Sequence, residues 1–232
     1  MLDAVITKKL RDFTLDLSFQ VQDGKILALM GNNGSGKSTT LNILAGLLSP
    51  DTGSVRLNGI TFCEPALGIC IPVEKRCIGY VFQNAAVFPH LSVSENIAYG
   101  LRARGLPRPE IAERVGQLIG MMHLADLAEV KAASLSGGQK QRTALARAIA
   151  IRPALLMMDE PFSSLDVEST QAVKELTRDV VKKLQIPCIV VTHRVADSHE
   201  IGDRAIILCS GKKEWEGIPR NMPKDCTVCR CH

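Results

Sequence analysis

The apolar residues of this chain follow the periods of both strands and helices. In Phe13–Phe19 apolar and polar residues alternate, which is typical of a strand with one exposed face. Ser54–Gly59 shows a second strand pattern after a turn. Four continuous apolar runs are typical of strands buried on both faces of a parallel sheet, namely Ile26–Met30, Ala154–Met158, Cys188–Val191 and Ala205–Cys209.

Helical spacing dominates the middle of the chain. Apolar residues recur at helical intervals from about Ser92 to Ala133, and Pro107 and Pro109 mark a break before a helix predicted to start near Glu110. Three further helices are predicted at about 39–46, 140–150 and 167–184. Strands and helices therefore share the chain in the manner of an α/β fold.

Composition narrows the function classes. The chain has 232 residues, of which 46% are hydrophobic, so it can bury the core of one large domain or two small ones. Its net charge of +4 comes from dispersed basic residues and gives little reason to expect nucleic-acid binding. No apolar run reaches the roughly 18 residues of a membrane helix, and the start lacks a secretion signal. We expect a soluble, intracellular protein.

The segment after the strand Ile26–Met30 matches the phosphate-binding pattern GxxxxGK[ST]. Its residues are Gly31, Asn32, Asn33, Gly34, Ser35, Gly36, Lys37 and Ser38, with Thr39 next in the helix that follows. The glycines allow a tight turn with inward N–H groups, Lys37 can reach the outer phosphates, and the Ser38 hydroxyl can hold Mg²⁺. The pattern predicts a nucleoside triphosphate at the helix N-terminus. A small antiparallel sheet is expected around this loop.

An acidic pair follows the apolar run 154–158. Asp159 and Glu160 come at the C-terminal end of a predicted parallel strand, where open α/β sheets place their ligand sites. Asp159 is predicted to hold Mg²⁺, directly or through water. Glu160 is predicted to accept the proton of the water that attacks the γ-phosphate.

A third motif begins the helix predicted at 140–150. Ser136 and Gln139 have the spacing of a capping box, and Gly137 and Gly138 leave backbone N–H groups uncovered at the positive end of the helix dipole. An anion can bind such an end, although capping alone also explains the serine. The neighbouring nucleotide motifs favour the anion.

In this order, GNNGSGKST, LSGGQKQR and LLMMDEP resemble the nucleotide-binding subunit of an ATP-binding-cassette (ABC) transporter over roughly residues 1–217. The resemblance implies an α/β P-loop NTPase cassette: a RecA-like parallel core, an antiparallel β subdomain, and a helical subdomain inserted at about 92–147. It implies ATP and Mg²⁺ as cofactors. It also implies a head-to-tail dimer, in which Ser136, Gly137, Gly138 and Gln139 of one subunit face the nucleotide of the other.

Further site residues follow from the same resemblance. Gln83 resembles the glutamine that senses Mg²⁺ and the attacking water, and His193 resembles the switch histidine that contacts the γ-phosphate. Residues 163–166 resemble the loop that joins the two active sites of the dimer. The family stacks adenine on an aromatic residue, but the aligned position falls near Leu10. Phe13 is the nearest aromatic residue, so the stacking residue stays open.

Segments 159–166 and 88–101 are similar to importers of oxyanions, sugars and polyamines, and the opening Lys9–Leu15 looks most like importers of molybdate or tungstate. The implied partners are transmembrane permease subunits and, indirectly, an extracytoplasmic solute-binding protein, with no nucleic acid. This places the chain at the cytoplasmic face of the membrane, with its docking surface around Gln83–Leu101. An exporter ATPase is the closer alternative, because the motor chemistry is shared. A cassette ATPase acting on DNA or the ribosome is the remote one.

The eight cysteines are interpreted mainly as small apolar residues in a reducing compartment. Cys63, Cys70 and Cys77 are spaced by seven, but Gly68 and Pro72 interrupt any helix that could align them, so we expect the spacing to be coincidental.

The segment 218–232 is expected to be a short tail without the regulatory C-terminal domain that importers of this group commonly carry. It ends with four soft metal ligands, which are Cys226, Cys229, Cys231 and His232. Their crowding favours a flexible, redox-sensitive tail over a Zn²⁺ site.

Overall fold

One continuous sheet carries the fold in the computed structural model, which describes residues 1–223 and Cys226. Within these residues the sheet has eleven strands. They are β1 (Leu2–Lys9), β2 (Thr14–Val21), β3 (Ile26–Met30), β4 (Thr52–Leu57), β5 (Ile60–Glu64), β6 (Ile69–Cys70), β7 (Ile78–Val81), β8 (Leu155–Asp159), β9 (Cys188–Val191), β10 (Arg204–Cys209) and β11 (Lys212–Gly217).

Helices pack on the sheet and connect its strands. The α-helices of the described chain are α1 (Lys37–Ala45), α2 (Val93–Ala103), α3 (Arg108–Met121), α4 (Gly137–Ala150), α5 (Val167–Leu184) and α6 (Val195–Ile201). Short 3₁₀ turns lie at Pro65–Leu67, Val73–Lys75, Ala125–Leu127, Ala132–Ser134 and Pro219–Asn221. In the described part of the chain, no helix is both long enough and apolar enough to span a bilayer.

The sheet has an antiparallel half and a parallel half. The strand order is β6-β5-β4-β1-β2-β11-β10-β3-β9-β8-β7, and the five strands from β10 to β7 are parallel to one another. Strand β11 joins the halves: it is antiparallel to β10 and meets β2 through a parallel bridge between Lys212 and Asp16. The expected small antiparallel sheet is thus not separate, since the β10–β11 hairpin continues it into the parallel core.

Burial follows the predicted patterns. In β2 every second residue is buried, whereas all residues of β3 and β9 are buried. One core cluster lies between the parallel strands and helices α2 to α5. A second cluster packs α1 between the antiparallel strands and the other face of the parallel strands. The single-sided and double-sided strands were therefore distinguished correctly by their hydrophobic period.

Some boundaries and alignments differ from the predictions. Helix α3 begins at Arg108 rather than near Glu110, because a proline in the first helical turn loses no hydrogen bond. Helix α1 begins at Lys37, two residues earlier than predicted. The expectation that no helix aligns the three evenly spaced cysteines is confirmed. No helix aligns Cys63 and Cys70, but the β5–β6 hairpin pairs them directly.

Candidate functional site

The loop between β3 and α1 is built around backbone positions that require glycine. A Cβ atom on Gly31, where φ is +150°, would lie 2.3 Å from the Leu208 carbonyl oxygen. Gly36 is the N-cap of α1 in a left-handed conformation, and it provides no side-chain hydrogen bond to the helix. The first N–H groups of α1 therefore stay available at the positive end of the helix dipole.

Lys37 is enclosed by this loop. Its side chain is buried, and Nζ donates to the carbonyl oxygens of Gly31 and Asn32, both at 2.8 Å. Burial lowers the pKa of Lys37, while the carboxylates of Glu160 and Asp159 oppose that shift. The ammonium group is thus held in the loop with two acidic side chains nearby.

The same loop contains a buried hydroxyl group that has no hydrogen-bond partner among the described residues. Ser35 is 6% exposed, and its Oγ has no hydrogen-bond partner among the described residues. A buried hydroxyl without a partner is costly, and phosphate oxygens would satisfy both it and the N–H groups of α1. The loop residues therefore fit a polyphosphate.

Asp159 ends β8 beside the loop. Burial and repulsion from Glu160 raise its pKa, whereas Lys37 and a hydrogen bond from Tyr80 oppose the rise. Burial, followed by the charge of Asp159, raises the pKa of Tyr80, so the phenol stays protonated as a donor. Sequence reasoning missed Tyr80. Its place three residues before Gln83, on a strand entering the site, was the available signal.

The donor set beside the loop suits a hard cation. Ser38, Asp159 and Gln83 offer hydroxyl, carboxylate and amide oxygens, the chemistry that Mg²⁺ prefers. Within residues 1–223 and 226, no group of three or more His, Cys, Asp or Glu side chains is arranged to hold a metal. Mg²⁺ commonly completes its shell with substrate phosphates and water, so these residues fit Mg²⁺ when a polyphosphate is present.

Glu160 is where three predicted site residues converge. Gln83 Nε2 donates to Glu160 Oε2 at 3.1 Å, and His193 Nδ1 lies 3.5 Å from Oε1. Glu160 has a φ of +44°, a left-handed conformation uncommon for a residue with a side chain. Its backbone is fixed there by a hydrogen bond from its N–H to the carbonyl oxygen of Val191 at 3.0 Å. Strain of this kind clusters at functional sites.

A buried ionic network supports the segment that carries His193. Lys174 on α5 pairs with Asp197 on α6 at 2.8 Å, and both side chains are almost completely buried. Thr192 Oγ1 donates to Asp197 at 3.2 Å and accepts from the Arg194 N–H at 3.1 Å. Residues on both sides of His193 are thereby held. The hydrophobic pattern gave no sign of this network.

A cavity of about 300 Å³ opens above the loop. Glu160 lines it together with Lys37 and other residues of the loop and α1, namely Asn33, Gly34, Gly36, Ser38 and Thr39. Leu10 and Phe13 line the same cavity from the β1–β2 turn.

The motif at the start of α4 lies apart from this cavity. Ser136 Oγ accepts from the Gln139 N–H at 3.3 Å, and Gln139 Oε1 accepts from the Ser136 N–H at 2.9 Å, which confirms the predicted capping box. Gly137 and Gly138 pack close to residues 164–169 of the same chain. None of the four residues lines the cavity over the loop. A single chain does not bring the two halves of the predicted site together.

The cysteine-rich end is only partly described. Cys226 is 5% exposed and packs in a small cluster with Ala28, Met30, Ala205 and Ile207. The prediction of a flexible tail is therefore wrong at this residue. Cys229, Cys231 and His232 lie outside the described residues.

Comparison with known proteins gives a family and two sets of relatives. The family profile described as "ABC transporter" matches residues 14–163. Two curated proteins resemble nearly the whole chain. The sulfate/thiosulfate import ATP-binding protein CysA of Synechocystis sp. is 38% identical over 94% of this chain and 60% of its own length. The molybdate/tungstate import ATP-binding protein WtpC of Pyrococcus horikoshii is 39% identical over 97% of this chain and 65% of its own length.

The chain thus spans less than two thirds of the length of these curated relatives. Among solved structures, cbiO1 from Clostridium perfringens, part of the transporter complex cbiONQ, has a TM-score of 0.86 at 26% identity and covers 99% of this chain and 93% of its own. The cassette MJ0796, in a dimeric post-hydrolysis state bound to ADP and Pi, has a TM-score of 0.78 at 28% identity, covering 96% and 100%. The cassette fold expected from the sequence is confirmed.

Proposed function

The chain belongs to the ABC transporter family, and we propose that it is the ATP-binding and ATP-hydrolysing subunit that powers an importer. One observation carries the proposal: Glu160 lines the cavity over the phosphate loop while Gln83 and His193 both approach its carboxylate. These residues come from three separate connections of the parallel sheet. Their convergence beside Lys37 supports a site for phosphoryl transfer to water.

The loop is assigned the binding of ATP. Backbone N–H groups of Asn32–Thr39, the Ser35 hydroxyl and Lys37 would satisfy the phosphate oxygens, and Lys37 would exchange its two carbonyl acceptors for them. Ser38, Asp159 and Gln83 would hold Mg²⁺, which when bound neutralises charge that develops on the phosphates. Leu10 or Phe13 would cover the adenine.

Glu160 is assigned the role of general base. It would accept a proton from water, while Gln83 and His193 position that water and the terminal phosphate. The Glu160 backbone is left-handed, and its N–H donates to the Val191 carbonyl oxygen. Together these features set the position from which the side chain extends into the cavity. The network of Lys174, Asp197 and Thr192 holds the backbone next to His193. Catalysis therefore depends on positioning as much as on charge.

A second copy of the chain would complete the site. Ser136, Gly137, Gly138 and Gln139 lie outside the cavity of their own chain, and their helix end suits an anion. In a head-to-tail dimer each of these segments would face the ATP held by the other copy. Residues 163–166, which pack against Gly137, would link the two sites.

Transport requires partners outside this chain. We assign the surface around Gln83–Leu101 to permease subunits at the cytoplasmic face of a membrane, with a solute-binding protein acting through the permease. For the cargo we propose an oxyanion such as molybdate or tungstate. WtpC supports that class by its printed name, and CysA supports sulfate or thiosulfate equally.

Substitution of Glu160 by glutamine tests the assignment of the base. Glu160→Gln keeps the shape of the side chain but removes its proton affinity, so we expect hydrolysis to fall by roughly 100- to 10,000-fold while ATP binding is retained. The variant should accumulate as a dimer with ATP in gel filtration. Glu175→Gln, on the exposed face of α5, is the matched control. A monomeric Glu160→Gln protein that hydrolyses ATP at the normal rate would exclude Glu160 as the base.

Reconstitution tests the cargo. The chain, its permease and the solute-binding protein would be placed in liposomes, and ATP hydrolysis would be measured with molybdate, tungstate, sulfate or putrescine supplied outside. We expect stimulation by the oxyanions only. Stimulation by putrescine alone would replace the proposed cargo, and efflux of a solute would reverse the proposed direction.

A further inference from the structure

Two thiols face each other across the β5–β6 hairpin. This hairpin is at the edge of the sheet opposite the parallel strands. Cys63 on β5 and Cys70 on β6 are direct partners in an antiparallel pair. The adjacent pair is the hydrogen-bonded one, since the Ile71 N–H donates to the Phe62 carbonyl oxygen at 2.7 Å. Cys63 and Cys70 therefore form a non-hydrogen-bonded pair. In such pairs the Cα atoms lie about 4.5 Å apart, inside the range that a disulfide spans.

The two thiols have different surroundings. Cys63 is 1% exposed, whereas Cys70 is exposed to solvent. The Cys70 sulfur lies 3.8 Å from Ser49 Oγ and 3.8 Å from Arg76 Nη2. The hydrogen bond with Ser49, aided by Cys63 and Arg76, lowers the pKa of Cys70, whereas burial raises the pKa of Cys63. Cys70 is therefore both the more accessible thiol to a dissolved oxidant and the one more readily deprotonated.

Arg76 is a fixed part of this environment. Its side chain is 1% exposed, and Nη1 donates to the carbonyl oxygens of Ile43 and Leu44 at the end of α1, at 2.9 and 2.8 Å. Nε donates to the Ile71 carbonyl oxygen at 2.8 Å. Because these carbonyl groups hold the guanidinium in place, its positive charge is fixed beside Cys70. A positive neighbour favours a thiolate and disfavours a bound metal cation.

We propose that Cys63 and Cys70 form a peroxide-sensitive dithiol, in which Cys70 attacks the oxidant and Cys63 resolves the product into a disulfide. The Cys70 thiolate attacks one oxygen of hydrogen peroxide, the O–O bond breaks, and the released hydroxide leaves as water with the former thiol proton. The sulfenic acid on Cys70 is then attacked by the Cys63 sulfur. The S–O bond breaks, and a second water leaves with the Cys63 proton. Two thiols lose two electrons, and one peroxide becomes two waters.

Another cysteine of the described chain offers a matched comparison. Cys77 is half-buried, and Arg104 Nη2 lies 3.2 Å from its sulfur. It shares the guanidinium neighbour of Cys70, but its sulfur faces the carbonyl oxygens of Ile151 and Arg152 instead of a second thiol. Cys77 therefore separates the effect of a nearby positive charge from the effect of a thiol partner.

Peptide mapping of the full chain tests the proposal. The reduced protein would be treated with hydrogen peroxide, alkylated and cleaved with trypsin, which leaves both cysteines in the single peptide 57–75. We expect this peptide to lose both alkylation sites and to be lighter by two hydrogens than its reduced form. Cys77 should remain alkylated at the same peroxide dose.

Two variants complete the test. Cys63→Ser should leave Cys70 as a sulfenic acid that a dimedone probe captures, and stronger treatment should carry it to sulfinic acid. Cys77→Ser should form the disulfide as readily as the natural chain. The proposal is overturned if peptide 57–75 still takes two alkyl groups after treatment, or if Cys77 is oxidised as fast as Cys70.

Discussion

Helices α1 and α4 both begin at glycine-rich motifs, but only the N-terminus of α4 is capped by side chains. The N-cap of α1 is Gly36, which has no side chain to satisfy the helix, and the nearby Ser35 hydroxyl has no partner among the described residues. The N-cap of α4 is Ser136, which forms a complete capping box with Gln139. One helix end is thus left open and the other is closed by its own side chains.

The groups that destabilise the protein in the absence of ligand lie at the N-terminus of α1. At α1 the site combines left-handed backbone at Gly36 and Glu160 with a buried ammonium and a half-buried carboxylate. Burial of these charged groups costs free energy in the empty protein. An anionic ligand stabilises the ammonium, and a cation such as Mg²⁺ stabilises the carboxylate. The end of α4 is stable without a ligand. Its serine hydroxyl accepts the capping bond and can still donate its proton to a phosphate presented from outside.

The largest expected effect comes from removing the positive charge at α1. Lys37→Ala should weaken ATP binding to the single chain by roughly 100-fold, because a charge-assisted contact with the outer phosphates is lost. Titration with a fluorescent ATP analogue measures this. Lys25→Ala, at the opposite end of β3 in an exposed ion pair with Asp203, is the control and should bind normally. Unchanged affinity in Lys37→Ala would contradict the view of α1 as the open end.

An intermediate effect is expected at α4. Ser136→Ala should lower the free energy of unfolding by about 1 kcal/mol through loss of the cap. ATP affinity of the single chain should stay the same, while hydrolysis falls by roughly tenfold or more, since Ser136 is assigned to the ATP of the other copy.

Chemical denaturation and steady-state hydrolysis separate these effects. Ser92→Ala removes a capping box of the same kind from α2 and provides the stability reference. If Ser136→Ala weakened ATP binding to the monomer, the two helix ends would serve one chain and the comparison would fail.

The smallest expected effect is on thermal stability, and it comes from removing the buried acidic group beside α1. Burial holds the pKa of Asp159 above its ordinary value of 3.8, so its charged form destabilises the folded state. Asp159→Asn should therefore raise the melting temperature of the nucleotide-free protein.

The sign of the pH dependence follows from that raised pKa. Below 3.8 Asp159 is protonated in both states and carries no penalty, and the penalty appears as pH rises through the folded-state pKa. The advantage of Asp159→Asn should thus be greatest near neutral pH and shrink on acidification. Thermal melts across this range check the prediction. Asp203→Asn, in the exposed pair with Lys25, should give no such gain.

The sequence by itself determined the local features of this protein. Alternation in β2, continuous burial in β3 and β9, and the capping box at Ser136 all depend on neighbouring residues, so a short window of sequence contains them. The glycine pattern from Gly31 to Lys37 likewise reflects local backbone requirements. The resemblance to a known family added the long-range assignments of Gln83 and His193.

Only the tertiary structure decided which distant residues meet. Sheet order and register bring Tyr80 to Asp159 and Cys63 to Cys70, and the packing of α5 against α6 brings Lys174 to Asp197. These contacts do not alter the hydrophobic period of the segments that contain the residues. The pattern of apolar residues in those segments therefore does not reveal them. The physical reason is that periodicity records which face of an element is buried. The partner that covers the face is fixed by the packing of the whole sheet.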